Sequence, residues 1–191
     1  MTPRIRHADM MQTMGSSVGP ALANQLISSL GRDRVSVQGV DYTASIYSNA
    51  LRGSDGGKVM AKLANDQLSR CPNTKVAISG YSQGAMVVHY AVKSAGLAAA
   101  KVSSAVVYGD PQNRDSVGSL PASKTKVSSE ESRWSCASER RLKEIPQKFC
   151  ARGDGVCETG TFSISSAHLS YTRNGNIAEG ASFIIQQAGL N

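Results

Sequence analysis

The stretch KVAISGYSQGAM, Lys75 to Met86, leaves the chain few ways to fold. An apolar run ends on glycine, a serine stands between two glycines, and helix-forming residues follow, so the backbone has to pass from strand to helix in one tight turn. Gly80-Tyr81-Ser82-Gln83-Gly84 fits G-x-S-x-G in the context that this motif requires. A serine in such a turn needs small neighbours, and glycine at both 80 and 84 is expected to remove clashes with the adjoining strand and helix. The turn then presents the Ser82 hydroxyl at the carboxyl end of a sheet, and the Gln83 amide, near the helix N-terminus, can face a developing oxyanion. A serine that does nothing but cap the helix fits the same residues.

The rest of the sequence supplies the layers around that turn. From Ser16 to Leu30, Val18, Leu22, Leu26 and Leu30 recur at helical spacing, with Gly31 as a stop signal. VSVQGVDY, Val35 to Tyr42, reads as a buried strand. Gly57 to Ser69 fits a helix with Val59, Leu63 and Leu68 on or near one face. KVAISG is a strand, Gln83 to Gly96 a helix, and Ser103 to Pro111 a further strand closed by proline. Strands alternating with helices predict a parallel sheet covered on both faces, an α/β fold. A chain of 191 residues suits one domain of this kind, with a sizeable core. Two segments break the pattern: residues 1–14 show neither period, and residues 128–148, SSEESRWSCASERRLKEIPQK, divide KTKV from FC, two pieces of one short strand.

Charge and cysteines narrow the partners. The net charge is +7, but the lysines and arginines are scattered and not gathered with aromatics into a stripe, which argues against nucleic acid. No apolar run approaches the ~20 residues that cross a bilayer. The opening MTPRIRHADMMQTMGSSVGP lacks the apolar centre of a signal peptide. Cys150 and Cys157 enclose CARGDGVC, compatible with a local disulfide and wider than a C-x2-C zinc half-site; with no H-x3-5-H following, metal is the poorer reading. Cys71 and Cys136 have no obvious partners. A disulfide implies an oxidising compartment.

A serine nucleophile needs a base and an acid to orient it. His7 lies in the patternless leader and His89 inside the helix after the serine, whereas His168, in SSAHLSY, sits in a polar loop before the last helix and is the best candidate. Asp110, at the end of VVYGDP, and Asp154, inside the cysteine loop, compete as the acid. Asp154 is favoured, because a turn clipped at both ends would hold its carboxylate. Ser82, Asp154 and His168 then follow the chain order of α/β-hydrolases.

With these residues placed, the chain resembles the cutinase family of small secreted serine esterases. The matching blocks are GSSVGPAL, VQGVDYTAS, CPNTKVAISGYSQGA, VVYGDPQN, CARGDGVC and AHLSY, in that order, over most of residues 15 to 190. The resemblance implies Ser82 as nucleophile, His168 as general base and then acid, Asp154 as its orienter and the Gln83 amide as one oxyanion donor. It also implies a single-domain α/β-hydrolase with a parallel sheet of about five strands, no lid and no cofactor. Secretion is expected, and so is a monomer acting on ester bonds of cutin or related lipid polyesters. An acetylxylan esterase of the same family, and a homologue that binds without catalysis, are the alternatives. Arg152-Gly153-Asp154 also spells an adhesion tripeptide, which would need Asp154 exposed and free.

Two departures from the family pattern carry expectations of their own. The family begins with a strand and an A-R-G-[ST]-x-E-like turn whose hydroxyl is the second oxyanion donor; here RHADMMQTMG stands in that place, and ungapped counting from Gly15 puts Ala8 at the hydroxyl position. The first strand is therefore expected to be missing, Cys71 to lack its upstream partner, and activity to be reduced, since a lost donor costs ~100- to 1,000-fold in rate. Residues 1–14 are read as foreign to a catalytic domain of 15–191, and 128–148 as an atypical insertion. Both read as translated intron sequence: Ala8-Asp9-Met10-Met11-Gln12 can be encoded as GCTGACATGATGCAG, Val127-Ser128 as GTGAGT and Gln147 as CAG.

Overall fold

The computed structural model describes residues 14–44, 53–113, 146–161 and 163–190. His7, Ala8 and Cys136, nearly all of the leader, and the 128–148 segment up to residue 145 lie outside them. Helix α1, Val18–Leu30, follows the predicted spacing and ends where the Gly31 N–H bonds the Ile27 carbonyl. Helix α2 is Ser54–Arg70, strand β1 Val76–Tyr81, helix α3 Gln83–Lys93 and strand β2 Val102–Tyr108. Strand β3, Pro146–Phe149, the short helix α4, Gly155–Thr159, and helix α5, Asn176–Ala188, complete the order.

The three strands run parallel in the order β1-β2-β3, with β2 in the middle. Its residues are buried on both faces, as a central parallel strand requires. Alternation along β2 builds two cores. Ala105 and Val107 face Met60, Ala61 and Ala64 of α2 and Val87, Val88 and Ala91 of α3. Val106 and Tyr108 face the opposite way, against Val18 and Leu22 of α1 and Ile177, Ala181 and Ile184 of α5. Each fully buried valine contributes roughly 1.5–3 kcal/mol, so this strand is the anchor of both layers. The α/β arrangement of a parallel sheet with helices on both faces is as the alternation predicts.

Three local expectations are corrected. Val35 to Tyr42 is not a strand, since no backbone ladder joins it to a neighbour among the described residues; Val40 and Tyr42 attach it by packing on the core instead. Residues rich in β-formers supply propensity, but a strand exists only where a partner edge takes up its hydrogen bonds. Among the described residues the sheet has three strands. Helix α2 buries Gly56, Gly57, Met60, Ala61, Ala64 and Leu68, with Val59 and Leu63 only half-buried. The small residues face inward because α3 lies so close: a β-carbon on Gly57 would stand 2.7 Å from the Tyr90 ring and 3.0 Å from the Ala91 nitrogen. Finally, β3 takes in Pro146, Gln147 and Lys148, residues read above as the end of the insertion.

Candidate active site

Ser82 occupies the joint between β1 and α3, and its backbone has φ 55° and ψ −120°. Among the described residues it is the one non-glycine with positive φ. Such a conformation costs about 1–3 kcal/mol and persists where the surroundings impose it. Here they do: the Ser82 N–H bonds the Tyr108 carbonyl at the end of β2, 2.9 Å, and the Ser82 carbonyl accepts from Ala85 at 2.9 Å. Although Ser82 stands at the N-cap of α3, its side chain makes no capping bond. The capping reading is thereby removed. The hydroxyl points instead at His168, with Oγ 3.0 Å from Nε2.

The two flanking glycines play different parts. A β-carbon on Gly80 would lie 2.1 Å from the Gly84 carbonyl oxygen, so α3 packs on bare backbone there. A β-carbon on Gly84 would meet nothing nearer than the Tyr42 hydroxyl at 3.6 Å, an ordinary contact. The expectation that both positions exclude a side chain holds at 80 and is corrected at 84.

His168 and Asp154 arrive from two loops that the fold brings beneath the turn. Cys150 and Cys157 are joined in a disulfide around the Asp154 turn. Asp154 is the N-cap of α4, and its Oδ1 accepts the Val156 N–H at 3.0 Å. Both carboxylate oxygens lie 2.9 Å from His168 Nδ1. The two side chains are almost wholly buried, His168 1% exposed and Asp154 0%. A tripeptide with its aspartate buried and bonded in this way offers nothing to an adhesion receptor. Ser165 laces the two loops together, donating to the Gly153 carbonyl at 3.2 Å and accepting the His168 N–H at 3.2 Å.

The rival candidates pair with each other. His89 Nε2 is 2.7 Å from Asp110 Oδ2, and Lys148 Nζ approaches the same oxygen at 3.9 Å. Burial opposes ionisation of Asp110, but its hydrogen bond and charge interaction with His89, then Lys148 and the Gln112 N–H, outweigh that and hold its carboxyl below the usual range. Neither group reaches Ser82's partners. Gly109, between β2 and Asp110, instead presses its bare α-carbon on the imidazole; a β-carbon there would stand 2.7 Å from His168 Cε1.

Two tyrosines that the sequence reading gave no part complete the surroundings. The Tyr81 ring stacks on the imidazole, centroids 5.0 Å apart, and its hydroxyl donates to the His168 carbonyl at 2.7 Å. Burial, with the Asp154 charge second, pushes the Tyr81 phenol up. Tyr171 donates to Asp154 Oδ2 at 2.6 Å. It was visible only as the last letter of AHLSY, without a role. Gln83 opens α3, so its N–H lies at the positive end of the helix dipole beside Ser82. Ile164 and Leu169, on the loop carrying His168, are large apolar side chains left 59% and 56% exposed. No group of metal-ligating side chains occurs among the described residues. A cavity of about 320 Å³ beside the start of α2, lined by Asp41, Tyr42, Gly53 and Asp55, includes none of Ser82, His168 or Asp154.

The cutinase family model matches residues 5–188 of the chain, running through most of the leader and all of 128–148. A cutinase of Monilinia fructicola is 38% identical over 180 residues, covering 93% of this chain and 77% of that protein. Among solved structures, Trichoderma reesei cutinase in complex with a C11Y4 phosphonate inhibitor superimposes with a TM-score of 0.69 at 30% identity, covering 92% of this chain and 70% of that one. An acetylxylan esterase superimposes with a TM-score of 0.66 at 19% identity, covering 93% and 94%, which is a likeness of fold.

Proposed function

The chain belongs to the cutinase family and is a carboxylic-ester hydrolase, and from that premise we propose that it hydrolyses cutin or related lipid polyesters through Ser82, His168 and Asp154. Support for the reacting groups is the unbroken run of contacts from Ser82 Oγ to His168 Nε2, 3.0 Å, and from His168 Nδ1 to Asp154, 2.9 Å. Support for an apolar substrate is the pair Ile164 and Leu169, exposed beside His168 with nothing polar to satisfy.

Ser82 Oγ attacks the ester carbonyl carbon as His168 Nε2 takes its proton. Asp154, holding Nδ1–H, keeps the imidazole in the tautomer whose Nε2 is free to accept, and stabilises the imidazolium that forms. The negative oxygen of the tetrahedral intermediate turns to the Gln83 N–H. The intermediate collapses, the alcohol leaves with the proton from His168, and an acyl group remains on Ser82. Water then gives its proton to His168 and attacks the acyl carbon, and the acid departs as Ser82 recovers its proton. The position of the second oxyanion donor, Ala8, lies outside the described residues.

The catalytic domain is taken as 15–191, with the insertion that starts at about residue 128 ending ahead of β3; in support, the two cores draw on residues from Val18 to Ile184, Phe149 of β3 among them. One chain supplies all three reacting side chains, which suits a monomer. The Cys150–Cys157 disulfide suits secretion. No helix among the described residues is long and apolar enough to cross a membrane.

Hydrolysis of p-nitrophenyl butyrate and release of cutin monomers, compared with release of acetate from acetylated xylan, tests the substrate. Cutin and butyrate cleavage abolished by Ser82→Ala is expected. Acetate release alone points to an acetylxylan esterase, and no hydrolysis of any of the three to a binding protein.

A further inference from the structure

Asp154 has no exposed surface, so protein groups have to meet its lone pairs. Besides Val156 N and His168 Nδ1, its Oδ2 takes a bond of 2.6 Å from the Tyr171 hydroxyl. The direction of that bond is fixed by its neighbours. The Tyr171 oxygen accepts the Ala151 N–H at 3.0 Å, and the Cys157 sulfur at 3.5 Å, being disulfide-bonded, has no proton to give. The phenol proton is therefore directed to the carboxylate. Burial, then the bond to Asp154, holds the Tyr171 phenol well above its ordinary pKa, and it stays a donor.

We propose that Tyr171 is a positioning residue of the reaction, setting the orientation and basicity of Asp154 through this hydrogen bond and so the proton affinity of His168. The proposal rests on the reading of Ser82, His168 and Asp154 given above. A carboxylate that already accepts a short bond from a phenol draws less strongly on the imidazole Nδ1–H, so the imidazolium is stabilised less. Removing the phenol proton frees the carboxylate to stabilise the imidazolium, which raises the pH at which His168 loses its proton. The other titratable groups packed around the pair are Tyr81 from β1 and Tyr108 from β2, both tyrosines kept protonated by burial. Asp110 is engaged by His89, and Glu158 bonds the Gly153 N–H.

The test is the pH profile of kcat/KM for p-nitrophenyl butyrate, whose acid limb reports the base in the free enzyme. In Tyr171→Phe the limb is expected to move up by about 1 unit, with the plateau kcat down roughly 10-fold and KM little changed, as for lost orientation of a catalytic group. Site-specific replacement of Tyr171 by 3-fluorotyrosine, a stronger donor of nearly the same shape, is expected to move the limb down. It decides the matter if Tyr171→Phe does not fold. A limb that stays in place with 3-fluorotyrosine overturns the proposal, as does a Tyr171→Phe enzyme that loses thermal stability alone. Ser82→Ala, run beside them, separates the two levels: if it abolishes hydrolysis while the limbs do not move, only the role of Tyr171 falls. If it leaves hydrolysis intact, the reading of the site falls and this proposal with it.

Discussion

Replacing Gly80 and Gly84 by alanine, one at a time, gives opposite outcomes from two positions of the same motif. A β-carbon on Gly80 would stand 2.1 Å from the Gly84 oxygen, 2.3 Å from its carbonyl carbon and 2.7 Å from the Ala85 nitrogen. All three are backbone atoms of the first turn of α3, with no side-chain rotamer to absorb the overlap. To reach even 3.0 Å the turn has to open by about 0.9 Å. The same turn carries Ser82, whose Oγ is 3.0 Å from His168 Nε2, a contact that reacts only within about 3.2 Å. A misplacement of this size costs about 100-fold in rate, and overpacking costs a further 1–3 kcal/mol of stability. At Gly84 the nearest atom is 3.6 Å away, and alanine in a helix is better than glycine by about 0.5–1 kcal/mol. Kinetics with p-nitrophenyl butyrate and thermal unfolding of both variants provide the comparison. Gly84→Ala is expected to keep wild-type kcat with an unchanged or raised Tm, and Gly80→Ala to lose both activity and stability. Equal losses at the two positions, or an active Gly80→Ala enzyme, refute the steric account of the turn.

The disulfide is the next lever: Cys157→Ser, which opens the seven-residue separation between Cys150 and Cys157, is expected to cost about 2.5 kcal/mol, read as a lowered Tm. Tyr108→Phe goes the other way, since the buried Tyr108 hydroxyl finds no hydrogen-bond partner among the described residues and rests against Gly180; equal stability or a gain of about 1 kcal/mol is expected in urea unfolding. Asp110 governs the acid side of stability. Its folded carboxyl is held below the usual value, so its contribution is present above the unfolded carboxylate pKa of about 3.9 and lost as pH falls through the lower folded value. Asp110→Asn should therefore lower Tm near neutrality and flatten its decline below about pH 4, measured by thermal unfolding across pH; an unchanged decline contradicts a folded Asp110 carboxyl held below the usual range.

What the sequence could show follows the range of the forces involved. The strand–turn–helix around Ser82 was legible because its chemistry is local: glycine, serine and a 3.6-residue period all lie within one turn of each other. His168 and Asp154 were reachable because few histidines exist and a cysteine loop marks a fixed turn. The face of α2 was misread because hydropathy favours Val59 and Leu63, while close approach to α3 favours Gly56, Gly57 and Ala61, and nothing in α2 itself reports that distance. Val35 to Tyr42 was misread for a related reason, a strand being a property of two edges. Tyr171 meets Asp154 seventeen residues away through a buried contact, and Tyr81 meets the His168 carbonyl eighty-seven residues away; both follow from packing and not from any spacing along the chain.

Incubation with an active-site-directed alkyl phosphonate, followed by peptide mass spectrometry, measures most directly whether Ser82 is the nucleophile that His168 and Asp154 activate. One adduct on the peptide carrying Ser82, absent in Ser82→Ala and formed at least about 100-fold more slowly in His168→Ala, is expected. No adduct, or an adduct on another residue with Ser82 untouched, contradicts it.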